Sequence, residues 1–130
     1  MRDLLQLAAI IPFMFVAQPA LAACVKAPDT DVYCQDCVIQ QKIFLKQSDV
    51  CNFSFIGVVG SATTPSASLT RMRIVTRPKK GIYGVANPSS GAYKPNPGAR
   101  GEDYFEFEIE FLTINARPAK SHHKISVVIE

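Results

Sequence analysis

Four cysteines, a pair of adjacent histidines and three alternating glutamates are the side chains in this 130-residue chain with the most chemical reach. Cys34-Gln35-Asp36-Cys37 is a C-x-x-C, the spacing of a redox dithiol or of half a zinc site. A thioredoxin-like dithiol calls for a strand before it and a helix after it, and the residues after Cys37 are strand-like. A zinc site calls for a second close ligand pair, whereas Cys24 and Cys51 stand singly and His122-His123 is far off in sequence. The histidines fall between Lys120 and Lys124, in what reads as a charged loop over residues 115–123. In a strand they would point apart. Glu106, Glu108 and Glu110 share one strand face with no evident cleft, so nothing separates their pKa values as a glycosidase pair requires. No G-x-S-x-G is present. Neither Glu102-Asp103 nor Asp29-x-Asp31 completes the about six oxygen ligands that calcium takes. The residue types point to no reaction, no metal and no cofactor.

The cysteines fit an oxidising compartment better. Arg2 is followed by an apolar run from Leu4 to Ala17 and by Ala20-Leu21-Ala22-Ala23, the three-part build of a signal peptide over residues 1–23. The run is too short to span ~30 Å of hydrocarbon as a helix. Ala20-Leu21-Ala22 is an A-x-A cleavage site. Leu21-Ala22-Ala23-Cys24 also resembles the lipobox of bacterial lipoproteins, which would make Cys24 a lipid anchor. Cysteine parity favours the soluble form, because four exported cysteines make two disulfides and lipidation would leave one unpaired. Cys34–Cys37 is the least expected bridge, since so small a loop constrains the unfolded chain least. A bridge from Cys34 or Cys37 to Cys51 would contribute about 3 kcal/mol and pin the irregular segment 24–37.

From residue 38 onward the chain alternates with a period of two. Val38–Lys46 reads as an edge strand guarded by Lys42 and Lys46. Cys51, Phe53 and Phe55 alternate with Asn52 and Ser54 in a strand running to about Val59, and residues 60–68 read as a loop. Leu69–Arg77 turns Arg71, Arg73 and Arg77 one way and Met72 and Ile74 the other, until Pro78 ends the ladder. Short strands follow at residues 81–85 and 92–94. Tyr104–Leu112 places Phe105, Phe107, Ile109 and Phe111 on one face and reads as the central strand; residues 124–130 close the series. No helical period appears from Cys24 onward. About seven short strands with turn chemistry between them predict an all-β chain, a single antiparallel β-sandwich over residues 38–130.

Pro78-x-x-Gly81, Tyr93-x-Pro95-x-Pro97-Gly98 and Gly101-x-Asp103-x-Phe105 together resemble the signature of bacterial Ig-like and cadherin-like repeat modules, here as a single copy. The resemblance covers about Leu69 to Ile109 and the closing strand. It implies an Ig-like sandwich in an exported, periplasmic or extracellular protein, in a family usually found as tandem repeats. In physical terms Tyr93 suits the rim of a core, Pro95 and Pro97 stiffen a corner, and Gly98 and Gly101 admit backbone angles a side chain would forbid. Asp103 can accept backbone N–H groups across that corner.

If strand 69–77 neighbours strand 104–112, Arg71, Arg73 and Arg77 face Glu106, Glu108 and Glu110 as a ladder of opposite charges. That face is either self-satisfied or a docking surface. The net charge of +3 is too small and too mixed to argue for nucleic acid. The expectation is a non-catalytic interaction module for a protein or glycan, with no transmembrane segment in the mature chain. The alternatives are the same fold as a lipid-anchored envelope protein, or a thiol-redox role for Cys34 and Cys37.

Overall fold

Large apolar side chains at every second position make strands, because alternation puts one face of the pleat in the core and the other in water. The computed structural model describes residues 24–28, 30–59, 62–64 and 69–130. The expected signal peptide, residues 1–23, lies outside the described residues, as does Asp29. The described residues form eleven strands and no helix: β1 (Cys24–Ala27), β2 (Val32–Tyr33), β3 (Val38–Leu45), β4 (Cys51–Ser54), β5 (Ile56–Val59), β6 (Ala62–Thr64), β7 (Leu69–Thr76), β8 (Gly81–Asn87), β9 (Ser90–Pro95), β10 (Gly101–Leu112) and β11 (Pro118–Ile129).

A five-stranded sheet has the order β1-β3-β11-β10-β7, and a three-stranded sheet the order β4-β9-β8. A small third sheet, β2-β5-β6, continues from β4 after a break at Phe55. The two main sheets face each other in a sandwich-like arrangement, and aromatic rings fill the space between them. Tyr83 of β8 stacks on Phe105 and Phe107 of β10 at centroid distances of 4.6 and 5.1 Å. Tyr93 of β9 stacks on Phe105 at 5.3 Å, and Phe53 of β4 meets Phe107 edge-on at 6.3 Å. Such pairs add about 0.5–1.5 kcal/mol each beyond the area they bury.

Several sequence expectations are corrected. The middle strand of the five is β11, not β10. Residues 118–123 are not a loop but the first half of β11, whose inward side chains there are Ala119, Ser121 and His123, all buried. Small and polar inward residues hide the period that Ile125, Val127 and Ile129 display. Nor is β3 an edge, since β1 covers one side of it and β11 the other. Lys42 is exposed because it points out of the sheet face, which is wet in any case. The sheets are not purely antiparallel, for β3 runs parallel to β11 and β2 parallel to β5. Part of segment 24–37 is strand, and residues 62–64 pair with β5.

The disulfides are Cys24–Cys51 and Cys34–Cys37, so the expected bridge from the C-x-x-C to Cys51 does not form. Loop entropy ranks the pairings, but strand register decides them. Pairing of β1 with β3 opposes Cys24 to Leu45 and brings its Cα to 5.0 Å from that of Cys51 on the facing sheet. The Cys34 and Cys37 Cα atoms are 5.6 Å apart across the β2–β3 turn, also within bonding geometry. A buried polar cluster reinforces the same region. The Asp31 carboxylate accepts from Lys26 Nζ at 2.7 Å, Gln41 Nε2 at 3.1 Å and the Ser54 N–H at 3.0 Å. Lys26 Nζ also donates to the Asn52 carbonyl and lies 4.6 Å from the centre of the Phe53 ring. Both Asp31 oxygens are thereby engaged.

Candidate functional site

Two constellations combine charge, order and access. The first is the outward face of β7, β10 and β11. Register sets Glu110 beside Arg71 and Glu108 beside Arg73 on one side, and Glu110, Glu108 and Glu106 beside Lys120, His122 and Lys124 on the other. Arg71 donates to Glu110 at 2.8 Å and Arg73 to Glu108 at 2.5 Å. His122 Nε2–H donates to Glu106 Oε1 at 2.5 Å while its Nδ1 lies 3.5 Å from Glu108 Oε2. Tyr104 O–H donates to the other Glu106 oxygen at 2.6 Å.

The glutamate stripe is thus flanked by cations on both sides, and the carboxylates of Glu106 and Glu108 titrate low. For Glu106 the cause is first the Tyr104 hydroxyl and then the His122 ring. For Glu108, burial works upward but the Arg73 and His122 hydrogen bonds outweigh it. The Tyr104 phenol is pushed up to about 12, by burial first and then by its bond to Glu106. Arg77 falls beyond the end of β7 and is not part of the ladder. It lines an open groove of about 400 Å³ with Lys79, Lys80, Glu102 and Asp103. Sequence reasoning does not bring Lys120, His122 and Lys124 to this face, because it reads residues 115–123 as a loop. The alternation Lys120-x-His122-x-Lys124 is the signal that could have found them.

The second constellation is the corner between β9 and β10. Gly98 and Gly101 have φ of 80° and 91°, where L side chains are strained. Pro95 is buried and Pro97 exposed. Tyr93 is fully buried, not at the rim, and its O–H reaches Asp103 Oδ2 at 2.8 Å. Asp103 also accepts the backbone N–H groups of Lys79 and Lys80, each at 2.9 Å, and its neighbour Tyr104's at 2.8 Å. Burial alone would raise its pKa; the four donors hold it below the usual carboxylate value. Burial pushes the Tyr93 phenol up, and the Asp103 charge adds to that. Phe105 follows directly, completely buried. The corner is a joint that locks the β7–β8 connection onto the start of β10.

The two histidines part as adjacent strand residues must. His123 is buried between Phe55 and Phe107, at centroid distances of 5.1 and 4.9 Å, and its Nε2 shares a 2.7 Å hydrogen bond with Ser121 Oγ. Burial pushes its pKa down to about 3, helped by the charge of His122, so it is a neutral core residue. Among the described residues no cluster of three or more His, Cys, Asp or Glu is placed to hold a metal ion. No protein-family model, no curated protein and no solved structure matches the chain.

Proposed function

We propose that the protein is an exported, non-catalytic Ig-like module that binds a protein or glycan at the cell envelope or outside the cell, through the outward face of β7, β10 and β11. The observation that carries this is the order of that face. Three glutamates are already held by cross-strand hydrogen bonds, while the Arg71 and Arg73 side chains beside them keep 60 % and 45 % of their surface exposed. A partner meeting such a face orders few side chains on docking and so forfeits little entropy. Support for the Ig-like assignment comes from strand order. The β4-β9-β8 and β7-β10-β11 triplets follow the B-E-D and C-F-G orders of such modules, with β3 added beside β11. Two disulfides are compatible with export. Cys24 is bonded to Cys51, which favours a soluble chain over one lipidated at that sulfur.

The test is capture from envelope extract and on a glycan array, comparing the native protein with the Arg71→Glu/Arg73→Glu variant. A partner held by the native protein and lost by at least tenfold on reversal, at unchanged melting temperature, is the expected result. Equal capture by both proteins would place binding elsewhere and sink the assignment of this face.

A further inference from the structure

The two disulfides occupy unlike environments. Cys51 is completely buried and bonded to Cys24 across the two main sheets, closing a 27-residue separation. Cys34 and Cys37 are half-buried, three residues apart, in a turn whose tip residues Gln35 and Asp36 are exposed. A loop that small contributes little to stability through the unfolded chain, so opening it forfeits little. The turn is also held without its bridge. Asp36 N–H donates to the Lys120 carbonyl at 2.7 Å, and His122 N–H donates to the Cys37 carbonyl at 2.9 Å. The Cys37 sulfur lies 3.0 Å from the Cys34 carbonyl oxygen, an acceptor already in place for a Cys37 thiol.

We infer that Cys34–Cys37 is a thiol-exchange site, reduced by a dithiol of the two-cysteine reductase class while Cys24–Cys51 stays closed. A reductant thiolate attacks one of the two sulfurs of this half-buried bridge. A mixed disulfide forms, the Cys34–Cys37 bond breaks, and the departing cysteine takes up a proton. The reductant's second thiol then attacks the mixed disulfide, releases the other cysteine as a thiol, and leaves the reductant as a disulfide. Two electrons and two protons pass to the turn. The C-x-x-C is followed by β3 and not by a helix, so no helix N-terminus stabilises a thiolate there. The site therefore acts as the acceptor in exchange, not as the catalyst. Its backbone hydrogen bonds to Lys120 and His122 set it beside the end of the charged face.

The test equilibrates the oxidised protein with graded ratios of reduced to oxidised dithiothreitol, followed by acid quench, alkylation and peptide mass mapping. In parallel, the protein is mixed with a thioredoxin lacking its second cysteine. Alkylation of Cys34 and Cys37 at ratios that leave Cys24 and Cys51 unlabelled, with unchanged near-UV dichroism, is the expected outcome, together with a trapped mixed disulfide at Cys34 or Cys37. Both bridges opening together, labelling only in denaturant, or no trapped adduct would overturn the inference. A Cys34→Ser/Cys37→Ser variant that keeps the native melting temperature within a few degrees confirms that this bridge is dispensable to the fold; its unfolding would count against the site.

Discussion

Asp103 and His123 show how single side chains carry more of this fold than their types suggest. Asp103 gathers three backbone N–H groups and one phenol onto one carboxylate. Asp103→Asn removes the charge those donors stabilise and is expected to cost about 1–3 kcal/mol in urea melts, with Tyr93→Phe costing about 1 kcal/mol. Its lowered pKa means that its contribution is complete above 3.8, the ordinary value, and is lost as pH falls through the folded value. His123 acts in a different window. It is neutral in the fold down to about 3, yet protonates at 6.5 when unfolded. Between those values the unfolded chain binds the extra proton, so stability falls as the solution is acidified, by up to about 1.4 kcal/mol per pH unit. Urea midpoints followed from about pH 7 to about pH 4 should show that slope in the native protein and a flatter one in His123→Gln.

At the level of elements, the glutamate stripe of β10 is the informative case. Flanked by β7 and β11, it is neutralised by neighbours on both strands and not by the arginines alone. Exposed pairs of this kind contribute little, so Arg73→Ala should change stability by less than about 1 kcal/mol, and that change should shrink further in high salt. A larger loss, insensitive to salt, would mean that Arg73 is a packing residue instead. The edges also differ in character. β7 ends the five-stranded sheet with Arg71 and Arg73 exposed, charges that discourage pairing with another chain. β8 ends the facing sheet uncharged, its register shifted between Val85 and Asn87. A bulge of that kind twists a free edge out of line.

Across the whole molecule, Cys24–Cys51 and the ring stack act together. The bridge ties the first strand of one sheet to the facing sheet, beside the Lys26–Asp31 pair and the Phe53 ring. Cys24→Ser/Cys51→Ser should cost about 3 kcal/mol, seen as a lower melting temperature and urea midpoint. The contrast with Cys34→Ser/Cys37→Ser separates a bridge that holds the fold from one that does not.

The sequence by itself determined the all-β class, the inward phenylalanines of β10, the neighbourhood of Cys51, Phe53 and Phe55, and the turn chemistry between strands. These follow from alternation and from Gly and Pro, which act on residues adjacent in the chain. Only the tertiary structure decided the disulfide partners, the parallel seating of β3 on β11, the extension of β11 back to Pro118 and the burial of His123. Each of those depends on which strand lies beside which. That is a contest among contacts far apart in sequence, and Ala119, Ser121 and His123 become core residues only once β11 pairs with β10 and the opposite layer covers that face, as Phe55 covers His123.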